Sequence, residues 1–255
     1  MSENADALQS PTLPLPPPKN GFQRVIGVIF SPIETFEDIA RKPDVLIPLL
    51  LIIVVTLLGI GLTKSHMDWD AMVAQQQEMA KARNPNVSQA QLDQMAGFQK
   101  VMSNVGIWFS PVFIIAGLLI GTAILMLAFK LFGGQGSFMQ CWAAVMYAWI
   151  PRIIQQIVGV AVVMTKGKIN PMDMPLLVKS NPGFLVNMKE HAGLFSILSS
   201  FDVFVIWYVI LLIIGFAAAT KVSRAKSASI IVSLWLLLVL VKGGIAAVFG
   251  GMAKR

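Results

Sequence analysis

Apolar and polar residues alternate along this chain in long blocks. Between Lys100 and Lys166 lie 65 residues with only two charged side chains, Lys130 and Arg152. A helix that rises about 1.5 Å per residue needs roughly 20 apolar residues to cross a hydrocarbon core of about 30 Å. This block therefore predicts two consecutive membrane-spanning helices.

The same criterion predicts five spans in the whole chain. They cover about residues 45–63, 105–129, 138–164, 194–220 and 228–250. The predicted fold class is therefore all-α, a polytopic membrane protein built as a five-helix transmembrane bundle. The loop from Lys221 to Lys226 carries three cations in six residues. Because such loops prefer the cytoplasm, we expect the N-terminus inside and the C-terminus outside.

The segment before the first span divides into a tail and an amphipathic part. Residues 1–20 are rich in proline, which predicts a disordered cytoplasmic tail, and residues 21–255 form the predicted membrane domain. The apolar run Gly21–Phe30 is too short to cross a bilayer.

A second short helix is predicted from Ser31 to about Lys42. Ser31, Pro32 and Glu34 have the form of a capping box with proline at the first helical position. Apolar residues then recur at helical spacing, at Ile33, Phe36, Ile39 and Ala40. The pattern fits an amphipathic helix that lies in the membrane interface, and it fits equally a helix packed on the cytoplasmic end of the bundle.

The loop between the first two spans has the composition of a soluble segment. Glutamines and charged residues fill it, and Asn84-Pro85-Asn86 interrupts it. Ser88 and Gln91 again have capping-box form. We expect a hairpin of two short helices over about residues 65–104, outside the membrane.

Overall composition agrees with a membrane protein. Hydrophobic residues make up 56% of the chain and charged residues 13%, which is about half the charge of a soluble domain. The net charge of +7 is spread over loops and helix ends, so we expect a lipid bilayer and not a nucleic acid as partner. The single cysteine, Cys141, and two histidines far apart predict neither a metal site nor a cofactor.

Catalytic motifs are not evident either. His191 lies near Ser196, Ser199 and Ser200, but no nucleophile elbow or zinc-protease motif accompanies them. The sequence therefore predicts a protein that is not an enzyme.

Ionisable residues inside the predicted spans are the strongest candidate site. Arg152, Asp202 and Lys242 fall at similar depths in the outer halves of the third, fourth and fifth spans, and Gln155 and Gln156 share a helix face with Arg152. Burying such groups is costly unless they are paired or hydrated, so each marks a candidate functional position. We expect Asp202 to pair with Arg152, with Lys242 nearby.

Two interpretations of this cluster remain open. A buried ion pair can be a structural clamp that fixes helix order. The same residues can line a polar path in a channel, a small-solute transporter or a lipid-moving protein.

Gly117 and Gly121 form a GxxxG motif in the second span. Such a motif allows close approach of another helix, within the bundle or between two copies of the chain. It makes a homo-oligomer possible.

Three motifs are similar to a known family. The first is Phe30-Ser31-Pro32 followed by Glu34-Thr35-Phe36 and Ile39, with Pro43 and Pro48 leading into the first span. The second is Tyr147-Ala-Trp-Ile-Pro151, and the third is Asp202-Val-Phe204-Val-Ile-Trp207 with Gly215. Together they resemble the prokaryotic members of the Yip family of membrane proteins.

This resemblance implies five spans and a cytoplasmic N-terminus. Eukaryotic members bind Rab-type GTPases, but this chain lacks their Asp-Leu-Tyr-Gly-Pro motif and has Met146 before Tyr147 where they have glycine. We therefore expect a non-enzymatic scaffold or adaptor, in a bacterial cytoplasmic membrane, that meets protein partners at its N-terminal segment.

Overall fold

The computed structural model describes residues 17–252 except Lys189. In this part of the chain the regular structure is helical, with one isolated bridge between Met67 and Ile169. The α-helices are α1 (Gly21–Phe30), α2 (Pro32–Arg41), α3 (Leu46–Thr63), α4 (Trp69–Arg83), α5 (Gln89–Asn104), α6 (Ser110–Leu131), α7 (Phe138–Ala148), α8 (Ile150–Met164), α9 (Met174–Leu177), α10 (Ala192–Leu198), α11 (Val203–Thr220) and α12 (Arg224–Met252).

Five stretches are long and apolar enough to cross a membrane, which confirms the predicted fold class. They are Leu46–His66, Gly106–Leu131, Phe138–Met164, Val203–Thr220 and Arg224–Val248. Because consecutive spans run in opposite directions, α1, α2 and the turns after α6 and α11 lie on one side, which we call the N-terminal face. The hairpin of α4 and α5 and residues 165–202 lie on the other side, which we call the opposite face.

Helix α1 begins where the predicted disordered tail was expected to end. Asn20 caps it, and Asn20 and Gln23 form a capping box. The backbone N–H of Lys19 donates to the carboxylate of Asp38 at 3.2 Å. Lys19 is therefore held against α2, and residues 1–16 of the predicted tail lie outside the described residues.

Helix α1 presents an apolar stripe away from the protein. Phe22, Ile26 and Phe30 are 66%, 59% and 79% exposed, and they recur every four residues. Four-residue spacing places them on one helix face, which suits contact with lipid.

Helix α2 packs on the end of the bundle, the second of its two expected placements. It contacts α7 and α11, and it buries Phe36 and Ile39 to 1% exposure. Pro32 lies in the first turn as predicted. The predicted capping box is absent, because the Ser31 side chain makes no cap hydrogen bond and the Ser31 backbone N–H donates instead to the carbonyl of Gly27.

The core of the bundle is centred on α7. Every residue from Cys141 to Ala148 is buried, between α1, α2, α3, α6 and α11. Gly215 on α11 permits a close approach of α2 and α7, since a Cβ there would lie 2.9 Å from the Phe36 ring and 3.1 Å from Ala144. The half of the membrane domain next to the N-terminal face is therefore filled with apolar side chains.

Two of the predicted spans are interrupted. The third breaks at Trp149, between α7 and α8, and Pro151 occupies the first turn of α8. The predicted fourth span over residues 194–220 is divided between α10 and α11, and Asp202 is the N-cap of α11. Serine and aspartate compete with helical hydrogen bonding through their side chains, which explains why Ser199 to Asp202 end one helix and start the next.

The opposite face is built from the hairpin and a long loop. Ser88 and Gln91 form the predicted capping box at the start of α5. The amide of Gln99 donates to Gln76 at 2.7 Å and so joins α5 to α4. The backbone N–H of Asp68 donates to the carbonyl of Ile169 at 2.8 Å, which ties this hairpin to the loop after α8.

The five-span arrangement predicts which positions react from which side of a sealed membrane. Ala225 and Asn86 are both exposed, at the N-terminal and opposite faces respectively. Ala225→Cys and Asn86→Cys should react with an impermeant thiol reagent from opposite sides of sealed vesicles. Native Cys141 is buried and should stay unlabelled as an internal control. Labelling of both introduced cysteines from the same side would contradict five spans.

Candidate functional site

The predicted polar residues line a cavity in the half of the bundle nearer the opposite face. This cavity, which we call the polar cavity, has a volume of about 390 Å³. It brings together Arg152, Gln155, Asp202 and Lys242 from α8, α11 and α12. Gln156 lines an adjoining cavity of about 600 Å³ toward α3, where it accepts a hydrogen bond from the Thr56 hydroxyl at 3.3 Å.

Arg152 borders both cavities. It lies on the first turn of α8, directly after Pro151, and its guanidinium donates to Oε1 of Gln155. The guanidinium also lies 5.6 Å from the centre of the Trp149 ring, a cation–π distance. Its hydrogen-bond and aromatic partners are therefore neutral.

Asp202 has a different role from the one its sequence position suggested. Its Oδ1 accepts the backbone N–H of Phe204 at 2.9 Å, and its Oδ2 accepts the hydroxyl of Ser180. Among the described residues no ion pair of 4.0 Å or less joins it to Arg152. The expected direct pair is thus replaced by an N-cap, because a carboxylate at a helix start satisfies the free backbone donors there.

Lys242 lies on α12 at the edge of the polar cavity. Its ammonium donates to the hydroxyl of Ser200 at 3.4 Å, and its side chain is exposed. The polar cavity therefore contains two cations and one carboxylate, and the carboxylate accepts hydrogen bonds from α11 and from Ser180.

A second charged cluster lies on the N-terminal face, and we call it the Arg24 clamp: Arg24, Asp38, Asp44 and Tyr147. Arg24 is 1% exposed. Its Nε pairs with Oδ2 of Asp38 at 2.8 Å, its Nη1 pairs with Asp44, and Nη1 also donates to the carbonyl of Lys42 at 2.9 Å. The planar fork of donors lets one guanidinium join α1, α2 and the linker before α3.

The other members of the clamp extend it to the bundle. The Tyr147 hydroxyl on α7 donates to Oδ1 of Asp44 at 2.9 Å. Asp38 is 1% exposed, and a second cation, Arg41, approaches its Oδ1 at 3.1 Å. Each buried charge therefore has a counter-charge, which burial at this depth requires.

Sequence reasoning missed the Arg24 clamp. The available signal was Arg24 itself, a single cation inside the apolar run Gly21–Phe30. A cation at such a position must be paired or must reach water. The identity of its partners depends on how α1 folds back on α2, and residue spacing does not contain that information.

The family-motif residues have structural roles. Tyr147 belongs to the Arg24 clamp, Pro151 starts α8, and Asp202 caps α11 through the backbone of Phe204. Trp207 is partly buried against the main core. The motif residues Ser31 and Pro32 form the corner between α1 and α2, and Phe36 fills the space above Gly215.

Within the described residues, the GxxxG motif makes no close helix contact. A Cβ built on Gly117 or Gly121 meets no atom within 4 Å. The groove on α6 therefore has no helix in it from the described part of the chain, and its use by a second copy stays a prediction.

Comparison with known proteins identifies relatives. The family model described as the Yip1 domain matches residues 26–245. Membrane protein YknW of Bacillus subtilis (strain 168) is 25% identical over 229 residues, which cover 89% of this chain and 92% of YknW. No solved structure gives a significant match.

The Arg24 clamp predicts unequal effects for two arginines that contact the same carboxylate. Arg24→Met leaves Asp38 buried with its main partner lost, at a cost of about 3–5 kcal/mol. Arg41→Met removes a pair whose arginine side chain is 42% exposed, at a cost of about 0–1 kcal/mol. Denaturant titration of the purified protein in detergent measures both free energies of unfolding. Equal losses for the two variants would contradict the assigned burial.

Proposed function

We propose that this chain, which belongs to the Yip1 domain family, is a non-enzymatic membrane scaffold or adaptor that recruits protein partners through its N-terminal face. The main observation that supports this proposal is the Arg24 clamp. It fixes two short helices on the end of the bundle by means of buried charges, a costly arrangement that produces a defined surface.

The surface that the clamp supports is a cleft of about 740 Å³ beside α2. Glu34, Glu37, Arg41 and Lys221 line it with charges of both signs. Glu34 and Glu37 are exposed, and among the described residues neither enters an ion pair within 4.0 Å. Unpaired charges at the rim of a fixed cleft favour recognition of a protein partner by charge complementarity.

We place the N-terminal face in the cytoplasm of a bacterial cell. Lys221, Arg224 and Lys226 lie on or next to the turn between α11 and α12, and Lys130 lies at the end of α6 on the same side. Basic residues close to span ends favour the cytoplasmic side. The similarity to a bacterial membrane protein supports a cell membrane of that type.

A channel, a small-solute transporter or a lipid-moving protein is the second candidate, and the polar cavity favours it. An open channel must continue to both faces, however. The N-terminal half of the bundle is packed with the buried residues of α7, and the described residues form no polar route through it. This difference between the two halves favours the scaffold over an open channel.

Charge reversal in the cleft tests the scaffold proposal. Glu34→Lys with Glu37→Lys should abolish cross-linked capture of specific partners from native membranes, because like charges then meet the complementary surface. Glu78→Lys with Asp93→Lys is the matched control, since it reverses two exposed carboxylates on α4 and α5 at the opposite face. Quantitative mass spectrometry of the captured proteins measures the difference. Equal capture by both double variants would contradict recruitment through this cleft.

Solute flux and lipid flip-flop in proteoliposomes that contain the purified protein test the transport function. Asp202→Asn removes the carboxylate charge but keeps a good N-cap, so it changes the polar cavity with little effect on α11. Flux or lipid flip-flop by the wild-type chain that disappears in Asp202→Asn would overturn the pure scaffold proposal.

A further inference from the structure

We propose that the polar cavity binds the phosphate group of an anionic phospholipid headgroup from the leaflet at the opposite face. The proposal is independent of the scaffold function, since it concerns the other end of the bundle. It rests on the charge balance of the polar cavity, its neutral hydrogen-bond donors, its apolar wall and its level in the membrane.

The charged side chains of the polar cavity are two cations and one carboxylate, so one positive charge is left that an anion would neutralise. Arg152 and Lys242 line the polar cavity from two different helices, and among the described residues neither has a carboxylate oxygen within 4.0 Å. Asp202 accepts hydrogen bonds from the Phe204 backbone N–H and the Ser180 hydroxyl, and its charge acts on Arg152 only at longer range. A phosphate placed between two such cations gains charge-assisted hydrogen bonds that no side chain supplies.

Neutral donors surround the same space. The Ser199 hydroxyl is buried and has no hydrogen-bond partner among the described residues. Asn181 accepts the Gly183 backbone N–H through its Oδ1 and so keeps its amide N–H groups as donors. The phosphodiester of a phospholipid such as phosphatidylglycerol offers only hydrogen-bond acceptors at neutral pH. A lining rich in donors therefore matches it.

One wall of the polar cavity is apolar and borders the lipid-facing side of α12. Val205, Trp235, Leu238 and Val239 form this wall. Leu238 is 66% exposed, and its neighbour Leu237 is 56% exposed. Apolar residues this exposed on a membrane-spanning helix contact acyl chains, so the wall suits the tail of a lipid whose headgroup lies at Arg152.

The polar cavity also lies at the correct level for a headgroup. Asp202 caps α11, and the apolar span Val203–Thr220 starts at the next residue. Eighteen residues extend about 27 Å, close to the thickness of the hydrocarbon core, so the start of α11 marks its edge. Lipid phosphates lie just beyond that edge.

Lipid selectivity of the full chain in nanodiscs tests the proposal. The membrane is a mixture of phosphatidylglycerol and phosphatidylcholine, and native mass spectrometry measures which lipid stays bound to the released protein. Wild-type protein should retain phosphatidylglycerol in preference to phosphatidylcholine. Arg152→Gln with Lys242→Gln should reduce that preference about tenfold or more, because each lost charge-assisted hydrogen bond is worth more than a neutral one.

Control variants distinguish lipid binding in the polar cavity from non-specific attraction of anionic lipids to a basic protein. Lys81→Gln with Lys166→Gln removes two exposed cations at the opposite face and should change the preference by less than about twofold. Lys242→Gln alone changes an exposed side chain and should fold normally, so its partial loss of preference tests the site even if Arg152→Gln proves unstable.

A second arm separates the lipid from free phosphate. Inorganic phosphate is added to the chain in pure phosphatidylcholine nanodiscs, and the melting temperature is compared with that in chloride at equal ionic strength. No rise is expected. A rise that disappears in the Arg152→Gln, Lys242→Gln variant, without selectivity for phosphatidylglycerol, would overturn the lipid as the ligand. An equal preference for phosphatidylglycerol in the cavity variant and the control variant, with no rise in melting temperature in phosphate, would show that the polar cavity is not an anion-binding site.

Discussion

The buried guanidinium of Arg24 is the constraint on which the N-terminal half of this protein depends. It joins α1 to Asp38 on α2 and to Asp44 before the first span, and Tyr147 connects Asp44 to the central helix α7. An unpaired buried charge costs several kcal/mol of stability. Arg24 and Asp38 can therefore be buried only as a pair. The requirement fixes where α1 and α2 lie, and it converts an amphipathic segment that is too short to cross the membrane into a rigid cap on the bundle.

The two halves of the membrane domain differ in packing and in charge. Near the N-terminal face, apolar residues of α7 are enclosed on all sides and Gly215 allows α2 to approach closely. Near the opposite face, the interruption at Asp202 and the break at Trp149 open a polar cavity with an excess of positive charge. A closed half with a structured outer surface suits recruitment of proteins, and a half-open polar cavity suits binding of an anionic headgroup.

Length and hydropathy predict the spans and the fold class, because the bilayer imposes about 20 apolar residues on each crossing whatever their neighbours are. The position of Arg152 beside a polar cavity was also predictable, since a cation in an apolar run needs a polar surrounding. The capping role of Asp202 was missed because hydropathy averages over one polar residue, although an aspartate before an apolar run is a common helix start. Partners of Arg24 depend on tertiary contacts between α1, α2 and α7, which no local pattern encodes.

Hydrogen–deuterium exchange of α1 and α2 tests the central claim most directly, because it reports whether the Arg24 clamp makes this cap part of the folded bundle. In the wild-type chain the backbone amides of α1 and α2 should be protected together with those of α11, on which α2 packs. In Arg24→Met the protection of α1 and α2 should be lost as a unit, while α11 keeps its own. Rapid exchange of α1 and α2 in the wild-type chain, or unchanged protection in Arg24→Met, would contradict the account.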